Sequence, residues 1–158
     1  MSVDKSGTKP ICSNRKAYHE YFVLERYEAG ISLSGTEVKS IRQGHVNLSD
    51  SYCNIHGGEI SVHGMHISPY EKGNIYNRDP LRERKLLMHK KEIVKLFSAV
   101  SDQRLTLIPL SMYFKNSKVK VELGLCKGKK LYDKRESEAK RQDQRDAERY
   151  EKSNGRYE

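Results

Sequence analysis

Hydrophobic residues recur with regular spacing up to residue 125 of this chain and become rare after residue 131. Residues 119–125 (VKVELGL) alternate strictly between apolar and other positions, which is typical of a half-buried strand. Residues 105–114 precede them, and a turn at 116–118 separates the two runs, so a hairpin is predicted. Pro109 cannot donate a hydrogen bond to a sheet, and it therefore predicts an edge or a bulge at that point.

Other segments in the first half of the chain also predict extended structure. Four apolar residues in succession, at 21–24 within residues 18–27, predict a strand that is buried on both faces. Residues 31–33 are a second short extended piece between two glycines. Residues 51–56 and 59–67 predict a hairpin, because Gly57 and Gly58 readily supply the positive φ angles of a two-residue turn.

Two segments predict helices. Ser34 and Glu37 match a capping box, and Gly44 can end the short helix that follows. A second helix is predicted from an apolar stripe with helical spacing: Ile93, Leu96, Phe97 and Val100. Leu86 and Leu87 extend the apolar material before this helix, and residues 72–80 read as an exposed loop.

Together these elements predict a mainly β protein with short α-helices. Residues 1–13 are expected to be a flexible N-terminus, because they contain almost no hydrophobic residue. Residues 14–130 are predicted to form a small OB-like antiparallel β barrel that binds RNA, although the pattern alone does not distinguish a barrel from an open sheet. Residues 131–158 are predicted to be a separate C-terminal tail.

The tail contains good helix formers but no apolar face that could pack. Arg141, Arg145 and Arg149 recur every four residues, and phosphates would relieve the repulsion within this stripe. The tail is therefore expected to be disordered in solution and helical on RNA. The alternative is a tail that is merely solvated.

Positive charge is concentrated at the junction between the predicted barrel and the tail. The 158 residues contain 30 Lys and Arg against 21 Asp and Glu, a formal net charge of +9. Five cations fall within ten residues there: Lys127, Lys129, Lys130, Lys134 and Arg135. This run would suit a polyanion such as nucleic acid, and a solvated linker is an equally good interpretation of the run alone.

Several other classes of protein are disfavoured. No apolar run approaches a membrane span and no signal peptide is visible, so a cytoplasmic protein without membrane contact is expected. The three widely spaced cysteines indicate neither disulfides nor a zinc ribbon. His63 and His66 would lie on opposite faces of a strand, so no metal site and no cofactor are expected. Scattered carboxylates also argue against a metal-dependent nuclease.

Six separate motifs, in the same order along the chain, resemble the SmpB family of bacterial tmRNA-binding (SsrA-binding) proteins. The resemblance spans about residues 14–150. The motifs are 14–22 (NRKAYHEYF), 27–30 (YEAG), 35–40 (GTEVKS), 49–52 (SDSY), 84–87 (RKLL) and 127–135 (KGKKLYDKR).

This resemblance implies an OB-like barrel that binds the tRNA-like domain of tmRNA and brings it to stalled ribosomes for trans-translation. The tail would enter the empty mRNA channel, become helical and signal to the decoding centre. The implied partners are tmRNA and the 70S ribosome, through small-subunit rRNA, the A site and the mRNA channel. Alanyl-tRNA synthetase and elongation factor Tu would be reached indirectly through tmRNA. The protein would be an adaptor and not an enzyme, and it is expected to be a monomer.

The resemblance also implies particular RNA-facing residues, namely Asn14, Glu28 and Leu87, with Tyr21, Lys39 and Arg42 as further candidates. Asparagine can contact base edges or 2′-hydroxyls, cations can meet phosphates, and a tyrosine can stack on an unpaired base. Glu28 could accept from a base amino group, or it could form an ion pair that supports the site. Leu87 could equally belong to the core.

The motif at 127–135 matches the family's basic segment through Lys127, Lys129 and Lys130, and its entry to the decoding region through Tyr132, Asp133, Lys134 and Arg135. Tyr132 stands where several relatives have histidine. A tyrosine can stack on a base but cannot supply a proton near neutral pH, so only a stacking role is expected. A general OB-fold RNA-binding or ribosome-associated protein without tmRNA specificity is the alternative, and the 127–135 motif argues against it.

Overall fold

A ring of antiparallel strands carries three helices on its outside and a fourth that extends from its last strand. The computed structural model describes residues 7–155. The strands are β1 (Thr8–Ser13), β2 (Tyr21–Ile31), β3 (Val46–Asn47), β4 (Tyr52–His56), β5 (Glu59–His63), β6 (His66–Ile67), β7 (Arg84–Leu87), β8 (Thr106–Lys115) and β9 (Lys118–Gly128). The helices are α1 (Arg15–Glu20), α2 (Gly35–Arg42), α3 (Lys90–Gln103) and α4 (Leu131–Gly155), with a single 3₁₀ turn at Asn74–Tyr76.

Strand β9 closes the ring because it pairs with a different strand on each edge. One edge pairs with β8, from Thr106 opposite Cys126 to Lys115 opposite Lys118. The other edge pairs with β2, and the ring continues through β7, β5 and β4 back to β8. The predicted OB-like antiparallel barrel is thus confirmed, and the open-sheet alternative is excluded.

Two irregularities bend the ring. The register of β8 against β9 shifts between Pro109 and Ser111, so the bulge that Pro109 predicts is present. The register of β2 against β9 shifts between Val23 and Glu25. The hairpin turns are also as predicted, since Gly57 and Gly58 both have positive φ angles.

The alternating residues of the strands fill the barrel. Ile60, Val62 and Leu123 are completely buried inside it, and Ile41 of α2 and Leu96 of α3 cover its open ends or sides with apolar contacts. A second, smaller cluster lies beneath α1 and fixes that helix to the barrel: Ala17, Ile108, Leu110 and Cys126.

The prediction of a flexible N-terminus through Ser13 is wrong for residues 8–13. They form β1, which pairs with β8 from Thr8 opposite Lys115 to Ser13 opposite Ser111. Main-chain hydrogen bonds to a long neighbouring strand hold this segment, and composition does not report such bonds. For residues 1–6 the prediction lies outside the described residues.

The prediction of a strand buried on both faces across residues 18–27 is also wrong. The first part is the helix α1, and β2 begins only at Tyr21. Phe22 and Leu24 have 40% and 52% of their surface exposed, so one face of β2 is open to solvent there. Consecutive apolar residues did not distinguish a buried strand from one with an exposed apolar face.

The apolar residues around α3 are placed differently from the prediction. Leu86 and Leu87 belong to strand β7 and do not extend the helix. The side chains of Ile93 and Leu96 on α3 are buried as predicted, but Phe97 is 53% exposed. The buried face of α3 is therefore narrower than the stripe in the sequence.

A buried ion-pair network joins α2 to β7. The predicted capping box of Ser34 and Glu37 is present, and the Glu37 carboxylate also accepts from Arg82 and from the wholly buried Arg84. The Arg84 guanidinium further donates to the carbonyl oxygens of Met65 and Pro80, at 2.6 and 3.1 Å. Burial acts to raise the pKa of Glu37, but the hydrogen bonds from Arg82, Ser34 and Arg84 outweigh it and lower that pKa.

We predict that Arg84→Leu lowers the free energy of unfolding by about 3 kcal/mol, because the carbonyls of Met65, Pro80 and Arg82 and part of the Glu37 charge lose a donor. Urea unfolding measures this. Lys85→Ala is the matched control, since Lys85 pairs with Glu59 on the surface and should cost less than about 1 kcal/mol. Equal losses in the two variants would contradict a special role for the network.

Candidate RNA interface

Asn14 is a buried structural residue at the start of α1. Its side-chain oxygen accepts from the Ala17 N–H at 3.1 Å, so it caps the helix. Its side-chain nitrogen donates to the carbonyls of Leu48 and Pro109, at 3.0 and 2.9 Å. Only 2% of the residue is exposed. Both side-chain polar groups of Asn14 are therefore hydrogen-bonded inside the protein, and direct contact of Asn14 with bases stays a prediction.

Asn14 lines a cleft between α1 and the segment before β4. The cleft has a volume of about 320 Å³, and Tyr21, Lys16 and Tyr52 are among the residues that line it. Lys16 donates to Asp50 at 3.0 Å across its edge. Tyr52 is half exposed and stacks on His63, with ring centroids 5.2 Å apart. Tyr21 thus lies at a surface with a cation and a second aromatic ring, where an unpaired base could be held.

Glu28 lies on β2, where neighbouring side chains compensate its negative charge. Its carboxylate accepts from the Tyr113 hydroxyl at 2.5 Å and pairs with Lys115 at 3.3 Å. The Tyr113 hydrogen bond, followed by Lys115, lowers the pKa of Glu28. The structure therefore contains the ion pair that was one interpretation of Glu28. The carboxylate keeps a tyrosine and a lysine in place beside β1.

Lys39 and Arg42 are both exposed on α2, as their spacing predicts. The Lys39 ammonium lies 5.4 Å from the centre of the Tyr70 ring. Arg42 lies in a groove of about 390 Å³ that Lys9 and Phe114 also line. The two cations are thus available at the surface, each next to an aromatic ring.

Leu87 is not part of the core, because 55% of it is exposed. It lies opposite Gly30 in the pairing of β7 with β2. A Cβ on residue 30 would come within 3.3 Å of the Leu87 Cβ, so the glycine makes room for the leucine. An exposed leucine at the end of a strand is available to a partner.

At the base of the tail, Lys127 and Lys130 are exposed, whereas Lys129 is used inside the protein. The Lys129 ammonium donates to the Tyr18 carbonyl at 3.1 Å and to the Ser137 hydroxyl at 3.0 Å. It also lies 5.0 Å from the centre of the Phe22 ring. Partial burial lowers the pKa of Lys129. This lysine fastens the beginning of α4 to the end of α1.

The tail is helical from Leu131 to Gly155, which is the conformation predicted for its bound form. The Asp133 carboxylate accepts from the Lys130 N–H at 3.1 Å and thereby caps the first turn. Tyr132 is 74% exposed at the start of this helix. Lys134 is half-buried, while Arg135, Arg145 and Arg149 are exposed.

Two contacts between the tail and α1 have no counterpart in the sequence analysis. His19 pairs with Glu138 at 2.6 Å, and this contact lowers the pKa of Glu138. Arg141 donates to the Tyr18 carbonyl at 3.3 Å, so it is not free as the arginine stripe suggested. The partners are more than 100 residues apart, and no local pattern could have indicated them.

The candidate residues are spread over several parts of the surface. Tyr21 lies at the α1 cleft, Arg42 and Glu28 line separate grooves that both border β1, and Leu87 lies on β7. Within residues 7–155, no group of three or more His, Cys, Asp or Glu side chains is arranged to hold a metal ion. Of the helices described, none is both long and apolar enough to cross a membrane.

A small closed barrel with exposed cations, exposed aromatic rings and a helical extension that carries exposed arginines defines a class, that of nucleic-acid-binding β-barrel proteins. Comparison with known proteins identifies the family. The model of the family described as SmpB protein matches residues 11–153, and this chain belongs to that family.

Individual relatives agree over nearly the whole chain. The SsrA-binding proteins of Acetivibrio thermocellus and Carboxydothermus hydrogenoformans are 58% and 60% identical to it. These matches cover 96% and 89% of this chain and 99% and 95% of the relatives. A chain from the solved structure "tmRNA-SmpB: a journey to the center of the bacterial ribosome" is 47% identical, with a TM-score of 0.67, over 81% of this chain and 94% of that one.

We predict that Asn14→Ala lowers the free energy of unfolding by about 2 to 4 kcal/mol, since the variant loses a helix cap and leaves two buried carbonyls unpaired. Denaturant unfolding tests this. Asn54→Ala, at an exposed position on β4, is the control and should change stability by less than about 0.5 kcal/mol. If the Asn14→Ala protein had unchanged stability but impaired RNA binding, the result would instead support direct contact of Asn14 with RNA.

We also predict that the rate of amide hydrogen exchange differs between the first and second halves of the tail helix. Amides up to about residue 141 should exchange slowly, because Lys129, Glu138 and Arg141 tie this part to α1. Later amides should exchange almost as fast as in an unfolded chain, because the described side-chain contacts beyond Arg141, such as Gln142 to Asp146, lie within the helix.

Lys129→Met should speed exchange in the first turns of α4, whereas the neighbouring Lys130→Met should not. Lys130 is exposed, and only its backbone N–H takes part in the helix cap. Uniform protection along α4, or equal effects of the two substitutions, would contradict the proposed role of Lys129.

Proposed function

We propose that this protein binds the tRNA-like domain of tmRNA and delivers it to stalled bacterial ribosomes for trans-translation. The observation that carries the proposal is the match to a chain from the tmRNA-SmpB structure, together with family membership over residues 11–153. The protein is an adaptor in this scheme. It supplies binding surfaces, while the RNA and the ribosome supply the chemistry.

The barrel, residues 14–130, is proposed to contact tmRNA. Lys39 and Arg42 are exposed and suit phosphates, and Tyr21 beside Tyr52 suits an unpaired base. Leu87 offers an apolar contact to a base or a sugar. Glu28 acts indirectly, because it holds Tyr113 and Lys115 where RNA can reach them.

Residues 131–158 are proposed to enter the empty mRNA channel and reach the decoding centre of the small subunit. Lys127 and Lys130 are exposed at the entry to this tail, and Arg135, Arg145 and Arg149 are exposed along it, so phosphates could be contacted successively. Tyr132 is exposed next to these cations and can stack on an rRNA base, at about 1 to 3 kcal/mol. Lys129 and Arg141 serve to position the helix.

The remaining partners follow from this role. Alanyl-tRNA synthetase and elongation factor Tu would act on the same tmRNA and meet the protein through it. Such a protein works as a monomer in the cytoplasm, where the ribosomes are. The alternative, a general RNA-binding barrel, is supported only by the net charge of +9 and predicts no preference among RNAs.

The deciding measurement is the affinity of the full chain for the tmRNA tRNA-like domain, with excess unrelated RNA, at physiological salt. We expect tight binding that resists the competitor. A chain ending after Lys130 should bind within about threefold of the full chain, because the exposed tail cations add little to a site on the barrel. The same shortened chain should fail to support tagging on stalled ribosomes.

Lys39→Ala and Arg42→Ala should each weaken this binding about fivefold, while Lys118→Ala, at a hairpin end, serves as a control for loss of one charge. Binding that the competitor abolishes, or that falls equally with salt for every RNA, would overturn the tmRNA proposal and favour the general binder.

A further inference from the structure

A loop between β6 and β7 exposes apolar residues. We call residues 70–81 the tyrosine loop, after Tyr70 and Tyr76. Ile75 and Tyr76 form its tip, with 87% and 73% of their surface exposed. Most of this region, residues 72–80, reads as an ordinary exposed loop in the sequence, and it has no role in the proposed function.

Asn77 closes the tyrosine loop at its base. Its side-chain oxygen accepts from the Tyr70 N–H at 2.8 Å, and its side-chain nitrogen donates to the Tyr70 carbonyl at 2.9 Å. Gly73 packs against this amide, since a Cβ on residue 73 would come within 2.6 Å of the Asn77 oxygen. Asn74, with a φ of 47°, completes the turn that presents the tip.

The loop is also fixed to the barrel from outside. The Thr36 hydroxyl of α2 donates to the Tyr76 carbonyl at 3.1 Å, directly at the tip. The Arg84 guanidinium holds the Pro80 carbonyl near the end of the loop. The buried ion-pair network thus reaches into the loop, and the barrel holds the loop backbone at Tyr76 and Pro80.

A hydrogen-bonded loop that exposes a large aliphatic and an aromatic side chain is typical of a contact site. The charges around the tip favour RNA over an apolar protein partner. Lys72 and Arg78 are exposed on either side of it, and Lys39 lies over the Tyr70 ring. Two exposed acids oppose these three cations, Glu71 and Asp79, and Asp79 also accepts from the Leu81 N–H at 2.9 Å. Tyrosine among cations suits an unpaired base whose phosphates lie nearby.

We propose that the tyrosine loop is a second binding element for tmRNA, in which Tyr76 stacks on an unpaired base of the tRNA-like domain and Ile75 packs beside it. This inference rests on the proposed function. The choice of tmRNA over ribosomal RNA follows from continuity, because Lys39 joins the loop to the surface of α2 that is proposed to meet tmRNA. Arg78 and Lys72 contact the flanking phosphates.

The test uses the full chain and measures the dissociation constant for the tmRNA tRNA-like domain, with unrelated RNA as competitor. Tyr76→Ala should weaken binding about tenfold, and Tyr76→Phe should bind like the unaltered chain, because the ring and not the hydroxyl makes the contact. Phe97→Ala removes an exposed aromatic ring on α3, outside every surface proposed to bind RNA, and should have no effect.

Two further readouts separate stacking from charge and from loop order. Arg78→Ala should lower the slope of log affinity against log salt by about one, and Tyr76→Ala should leave that slope unchanged. Asn77→Ala keeps the tip residues but opens the base of the loop, so it should weaken binding about threefold and speed hydrogen exchange in residues 70–77.

Chemical probing of the RNA bases completes the test. At least one base of the tRNA-like domain should become less reactive to the probe when the unaltered chain or Tyr76→Phe is bound. The same base should stay reactive when Tyr76→Ala is bound. Equal affinity of Tyr76→Ala and the unaltered chain would overturn the inference. Unchanged tmRNA binding with weaker binding to stalled ribosomes would overturn it too, and would assign the loop to the ribosome. If the unaltered chain shows no preference for tmRNA, the proposed function fails first and the inference falls with it.

Discussion

The pairing of β9 with strands on both of its edges is the constraint on which the other features of the structure depend. Because β2 and β8 are held on opposite sides of β9, the ring closes. Strand β1 adds to β8, and the tail helix begins three residues after β9 ends. Strand β1 and the start of the tail helix are therefore attached to neighbouring strands of the same ring.

Buried polar side chains hold the helices and loops against the barrel. Asn14 joins α1 to the carbonyls of two separate segments, and Arg84 joins β7 to α2 and to the loop before it. Each has little or no exposed surface, yet each fixes exposed residues nearby. A position that resembles one of a family's RNA-binding residues, such as Asn14, can thus stabilise the surface from inside the protein, while lysines, arginines and tyrosines around it are exposed.

The sequence predicted the parts of the structure that depend on local rules. The capping box at Ser34, the glycine turn at residues 57 and 58, and the bulge at Pro109 each follow from the chemistry of a few neighbouring residues. It did not predict strand β1, the burial of Asn14, or the contact of His19 with Glu138. These depend on partners distant in the chain, whose proximity is a consequence of barrel closure. Family resemblance indicated the function but could not distinguish direct contacts from supporting ones.

The carbonyl of Tyr18 accepts from both Lys129 and Arg141, so the tether of the tail is built on the main chain of α1. A main-chain acceptor survives every substitution of the side chain at that position. During evolution the aromatic ring at residue 18 can therefore vary without releasing the tail, provided that cations persist at residues 129 and 141. This part of the link between barrel and tail helix is thus inherited with the backbone, and it places no demand on the side chain at residue 18.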